Sequence, residues 1–241
     1  MKKTKKKREI RLAERRGLQG PFQSDLSIFA LLVQADIDKV AVCFAREMKA
    51  RRHKKDVARG DLPDCDVFGN IYFPFQLCGH SWTTVIHRID DKLLFSPQLA
   101  KRLSAQLKTK AIFAGDHDTG GTTDYIMYDG GKLAEVFHWH DLAPFHVLTP
   151  AEIAKVEKQP LGAIPFGYYG ASRARKLPLA DFKALKRGVD FYPCVERLFD
   201  GFLKSQDAFL AFNLMDDPGT EYFPIAEACD EDIVRIDVIE T

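Results

Sequence analysis

The sequence predicts an α+β protein: a mixed, largely antiparallel sheet packed by amphipathic helices, with a smaller C-terminal α+β lobe. Three observations predict it. Asp129-Gly130-Gly131 is a hairpin turn between two runs rich in aromatic and β-branched residues, which makes part of the sheet antiparallel. Several segments repeat their apolar residues at helical spacing. Phenylalanine is abundant, 18 of 241 residues, and suits packed sheets and aromatic-rich cores.

The elements follow in order. Ile28–Val33 is a short, continuous apolar run and reads as a buried strand. Asp36 stands where it can cap the next helix, whose apolar face is Ile37, Val40, Ala41, Phe44 and Met48. Lys49, Arg51, Arg52, Lys54 and Lys55 load its C-terminal end, where positive charge suits the helix dipole. Residues 56–70 are turn-rich and read as a loop. Ile71–Phe75 and Trp82–Ile89 read as strands. Ser96-Pro97 is a cap followed by a first-turn proline, opening a helix near 97–108 with Leu99, Leu103 and Leu107 as its core stripe.

Ala111–Ala114 is a brief strand, DHDTGG a loop, and Thr123–Tyr128 and Leu133–Trp139 the two arms of the hairpin. Thr149-Pro150-Ala151-Glu152 matches a capping box with proline at the first helical position, so a short helix should run to about Lys158. Residues 159–178 hold several Gly and Pro around Tyr168 and Tyr169 and read as a long loop or interlobe linker. Helices follow near 179–187 and 193–204, the second burying Val195, Leu198, Phe199 and Phe202. Ala208–Leu214 and Ile233–Ile239 read as strands. In the last, Val234, Ile236 and Val238 share one side, and Arg235 and Asp237 the other. This order gives four segments: a basic disordered tail (1–24), an N-terminal α+β lobe (25–148), a capped short helix with a Gly/Tyr-rich loop (149–178), and a C-terminal α+β lobe (179–241).

Charge is unevenly spread. Residues 1–16 hold nine Lys/Arg against two Glu, whereas 215–241 hold nine acids against Arg235 alone. No long charge-free apolar run is present, which excludes a helical membrane span, and no apolar run follows the basic N-terminus as in a secretory signal. The five cysteines are odd in number and widely spaced, with no CxxC, so a disulfide framework or zinc ribbon is not expected. These features point to a cytoplasmic protein with reduced thiols, no cofactor and no membrane partner.

Four constellations carry possible chemistry. His138 and His140 lie two apart on a strand, hence on one face, and Asp116 and Asp118 sit on a glycine-rich loop that could approach them. Two imidazoles with carboxylates form a plausible metal or acid–base set, although ordinary polar residues at a strand end explain them as well. Cys78-Gly79-His80 places a thiol near an imidazole, but a small buried cysteine beside a turn is the blander account. In the stretch 162–175, Tyr168 and Tyr169 could stack on a ligand and Arg173 and Arg175 could hold an anion, unless the stretch is only a linker. The tail Lys2–Arg16 could meet nucleic acid through phosphate contacts.

The stretches FALLVQADIDKVAVCFAREM, FPFQLCGHSWTTVIH and LAKRLSAQLKTKAIFAGDHDTGGTTDYIMYDGGKLAEVF resemble bacterial α+β proteins of the toxin-immunity type, over about residues 26–140. The resemblance implies an interaction protein without catalysis and carries over no functional residue. The leading expectation is therefore a non-enzymatic binding protein, an immunity or inhibitor protein whose partner is another protein. Its acids, Asp230, Glu231 and Asp232 among them, would steer a basic partner. The alternatives are an enzyme using His138/His140 with Asp116/Asp118, and a nucleic-acid-associated protein using the basic tail.

Overall fold

The computed structural model describes residues 11–18, 28–63, 71–87, 96–117, 122–140, 145–156, 158, 167–171, 191–210 and 232–241. The strands are β1 (Gly17–Leu18), β2 (Ile28–Val33), β3 (Arg52–Lys54), β4 (Ile71–Leu77), β5 (Thr83–His87), β6 (Lys110–His117), β7 (Thr122–Asp129), β8 (Lys132–His140), β9 (Phe145–Val147), β10 (Gly167–Ala171), β11 (Phe209–Leu210), β12 (Ile233–Ile236) and β13 (Val238–Glu240). The helices are α1 (Ile37–Glu47), α2 (Pro97–Leu107), α3 (Pro150–Val156) and α4 (Phe191–Ser205). An eleven-stranded sheet runs β3-β13-β4-β5-β2-β6-β7-β8-β10-β9, with β12 also on β4, and a separate pair joins β1 to β11. Its pairings are antiparallel except β9 with β10, as the α+β class requires. Among the described residues no helix is long and apolar enough to cross a membrane.

β2 lies at the centre because every one of its described side chains from Ala30 to Val33 is apolar and buried. Pleating sends Leu31 and Val33 to one face and Ala30 and Leu32 to the other, so both faces must be covered. On the first face lie α1, with Ile37, Val40, Ala41 and Phe44 buried, and α2, with Leu99, Ala100 and Leu103 buried. On the second lies α4, whose Val195, Leu198, Phe199 and Phe202 are buried as the spacing predicted. The Phe202 ring stacks on Tyr125 at a centroid distance of 3.8 Å. Burying a side chain of this size contributes roughly 1.5–3 kcal/mol.

The caps divide. Ser96 Oγ accepts from Leu99 N at 3.3 Å, as expected. Thr149 and Glu152 form the reciprocal box: Thr149 N donates to Glu152 Oε2 at 2.7 Å and Glu152 N to Thr149 Oγ1 at 3.4 Å. Asp36 occupies the N-cap of α1 but makes no side-chain cap bond. Gln76 of β4 supplies the acceptor instead, taking Ile37 N at 3.1 Å.

Several expectations are corrected. The segment 159–178 is not simply a linker, because Gly167–Ala171 forms β10 between β8 and β9. The C-terminal elements do not make a separate lobe: β12 and β13 pair with β4, and α4 covers the same sheet. The stretch after α1 includes a strand, β3. Residues 11–18 belong to the folded body rather than to a tail. Gly17 N donates to Ala208 O at 2.8 Å, Leu18 N to Asp200 Oδ1 at 3.0 Å, and Arg16 pairs with Asp207. His80 donates from Nε2 to Leu12 O at 3.0 Å. Residues 1–10, the helix expected near 179–187 and the strand residues expected at 211–214 lie outside the described residues.

One proline and one aspartate shape the C-terminal edge. Asp237 lies between β12 and β13, where the register sets it opposite Pro74. Asp237 N donates to Pro74 O at 2.9 Å, but proline has no N–H to return, so the ladder breaks there. The Asp237 carboxylate is fully buried on the α1 side of the sheet. It takes His53 Nε2 at 2.7 Å, Asp56 N at 3.1 Å and Arg235 Nη2 at 3.1 Å, with Arg235 Nε 2.8 Å away. Arg235 Nη1 in turn donates to Asp38 Oδ1 at 2.7 Å, which holds the Asp38 carboxyl below its usual pKa. This cluster ties β3, β13 and the start of α1 together.

Removing one member of a buried ionic cluster strands its partners, so Asp237→Ala should cost about 3–5 kcal/mol in a denaturation curve. The N-terminal docking gives a second expectation. Burial holds the His80 imidazole below its ordinary pKa; its bond to Leu12 and the Asp207 charge oppose this, and Arg16 reinforces it. The unfolded chain then binds the His80 proton more readily, so stability is full above the ordinary imidazole pKa and falls as pH drops through the lowered one. His80→Gln, which keeps a donor for Leu12 O, should flatten the pH dependence of the thermal midpoint on that acid side. Deleting residues 1–18 should lower the midpoint at neutral pH.

Candidate functional site

The hairpin β7–β8 and its neighbour β10 place Asp124, His138 and Tyr168 in one cross-strand row. His138 is 2% exposed. Its Nδ1–H donates to Asp124 Oδ1 at 2.5 Å, which fixes the tautomer, while Nε2 is buried with no hydrogen-bond partner among the described residues. The Tyr168 ring lies 5.1 Å from the imidazole, centroid to centroid. Burial, then the Asp124 charge and Tyr128, push the Tyr168 hydroxyl pKa well up, so it stays protonated. A carboxylate-oriented imidazole with one open nitrogen can accept a proton or ligate a metal. Its burial means that neither partner reaches it from solvent without a local opening.

The expected metal set assembles only in part. His138 and His140 share a face, and His140 is half-buried opposite Thr122. Position 116 pairs with Thr123, on the alternate pleat from His138, and Asp118 lies outside the described residues. The carboxylate that meets His138 is Asp124, which sequence reasoning missed. Continuing the register of the turn, where Asp129 pairs with Lys132, would set Asp124 against Phe137; a bulge between Met127 and Tyr128 shifts it by one and brings it to His138. Among the described residues no three His, Cys, Asp or Glu side chains gather to hold a metal ion.

The other expected sites are dispersed. Tyr168 and Tyr169 are buried strand residues on opposite faces, not ligand-stacking rings of a loop. Arg173, Arg175, Asp230 and Glu231 lie outside the described residues, and Asp232 is half-buried with its carbonyl accepting from Cys78 N at 2.8 Å. His80 is engaged with Leu12 O.

A different group of residues faces solvent together. β3 ends the sheet path, and in and beside it Lys49, Arg51, Arg52, Lys54 and Lys55 are exposed, with Asp56 the exposed acid that follows them. Arg52 lies 3.8 Å from Glu240 and Lys55 3.9 Å from Asp38. Lys49, Arg51 and Lys54 make no ion pair among the described residues. The nearby Glu47 is taken by Arg102 at 2.5 Å, with Gln106 also donating to it. The run of cations was legible in the sequence, but as a helix end rather than a sheet edge.

No family model, curated protein or solved structure matches the chain.

Asp124→Ala should leave His138 buried without its acceptor and cost about 1–3 kcal/mol by chemical denaturation. His138→Phe, which removes the orphaned nitrogen along with the ring nitrogen that Asp124 binds, should destabilise less when combined with Asp124→Leu than either change alone. A double-mutant cycle reads that coupling.

Proposed function

We propose that the chain is a non-enzymatic binding protein whose contact surface is the basic sheet edge around β3 and whose partner is another protein with an acidic surface. The observation that carries this reading is the cluster of exposed cations, with Lys49, Arg51 and Lys54 unpaired among the described residues. Complementary charge of this kind accelerates encounter and suppresses wrong partners. The oriented imidazole of His138 supports the enzyme reading less well, because at 2% exposure a substrate reaches it only through a local opening. In a toxin-immunity role this edge would meet an acidic surface of the toxin, the reverse of the basic partner expected for Asp230, Glu231 and Asp232, of which the first two lie outside the described residues and the third is half-buried.

A protein partner suits the edge better than a single-stranded nucleic acid. Among the described residues the exposed large apolar side chains are Val42, Val147 and Val234, none of them a ring on which a base could stack. The test is the binding of a fluorescent Asp/Glu-rich peptide, set beside a duplex DNA probe of equal charge. The peptide should bind more tightly than the DNA and weaken as salt rises. In the Arg51→Glu/Lys54→Glu variant its affinity should fall about tenfold, with circular dichroism unchanged. Tighter binding of the DNA would move the reading to nucleic acid; equal peptide binding by the variant would remove the edge from it.

A further inference from the structure

We propose that β3 receives an extended acidic segment of the partner as an added antiparallel or parallel strand, so that main-chain hydrogen bonds supply affinity and alternate acids supply specificity. This rests on the reading of the β3 edge as the contact surface. β3 pairs with β13 on one side, and no described strand pairs with its other side. An edge strand presents every second N–H and C=O outward as a template for a further strand.

The edge is also held in shape before anything binds. His53 points to the buried Asp237 carboxylate at 2.7 Å, and Asp56 N donates to the same group at 3.1 Å. Arg51 N donates to Glu240 O and Val57 N to Ile236 O, each at 2.8 Å, which brackets the strand at both ends. A backbone fixed in this way loses little further entropy on pairing.

The pleat then sorts the side chains. With His53 turned to the Asp237 side, Arg52 and Lys54 stand on the opposite side of the strand. An added strand with acids at every second position would set carboxylates beside Lys54 and beside Arg52, which Glu240 of β13 already approaches at 3.8 Å, the cross-strand arrangement that stabilises opposite charges. The same cations oppose addition of a second β3, since like charges would meet across the new pair. The edge therefore discriminates between its own copy and an acidic partner, which is specificity by repulsion as well as attraction.

The experiment compares two peptides of identical sequence and charge, alternating Glu and Val. One has a free backbone; the other carries N-methyl groups on alternate residues, on the edge that would face β3. The unmethylated peptide should bind and the methylated one should bind about tenfold more weakly, because each lost main-chain bond leaves an unmet group. Hydrogen exchange at the amides of Arg52–Lys54 that face away from β13 should slow only with the unmethylated peptide. Equal binding of both peptides would overturn strand addition while leaving the basic contact surface standing. Binding by neither would overturn both. An Arg52→Glu/Lys54→Glu variant should bind an alternating Lys and Val peptide in place of the acidic one; indifference to that exchange would also overturn the pairing.

Discussion

Two-sided burial of one sheet is the constraint on which the rest of the molecule depends. β2 carries apolar side chains on both pleats, so neither face of the sheet can be left to water. α1 and α2, which flank β2 and β6 in the chain, cover one face with local connections. The other face waits for α4, which arrives after β10. The fold is thus completed only when residues distant in sequence come back, and the C-terminal strands return with them to β4. That return is why the described C-terminal strands join the main sheet.

Buried charge is handled by pairing rather than by exclusion. Glu135 takes the Tyr125 hydroxyl at 2.8 Å, Asp124 takes His138, and Asp237 takes His53, Arg235 and a backbone amide. Glu135 and Asp124 sit in strands whose neighbours supply the donor across the sheet, and Asp237, between β12 and β13, draws its donors from β3, β12 and the turn after β3. Such pairs are weak sources of net stability but costly to break, so they select one register among the alternatives. Asp237 adds a second role. The missing amide of Pro74 opens the ladder at that point, and the carboxylate fastens the edge strand β3 where regular pairing stops.

The two ends of the sheet differ in consequence. β3 is anchored from behind by Asp237 and surrounded by cations, while β9 is a three-residue strand with Val147 exposed. Basic residues on an edge are a common guard against self-association. Here they give the edge a positive sign.

The local features were legible in the residues themselves. The Ser96-Pro97 cap, the Thr149–Glu152 box, the Asp129-Gly130-Gly131 turn, strand β2 and the buried stripe of α4 all follow from spacing and backbone preference within a few residues. What lay beyond them depended on hydrogen bonds between distant strands. Tyr168 and Tyr169 look like loop residues among glycines until β8 and β9 accept them on either side. Leu12 and Gly17 look like part of a charged tail until His80 and Ala208 supply their partners. Asp124 meets His138 only because a single bulged residue shifts the hairpin register, and a one-residue shift reverses which side chains face each other. By itself the sequence determined the class of fold, the helices and the turn. Tertiary structure alone decided the strand order, the buried ion pairs and the placing of the cations at a sheet edge, because those are properties of pairing between segments and not of any one segment.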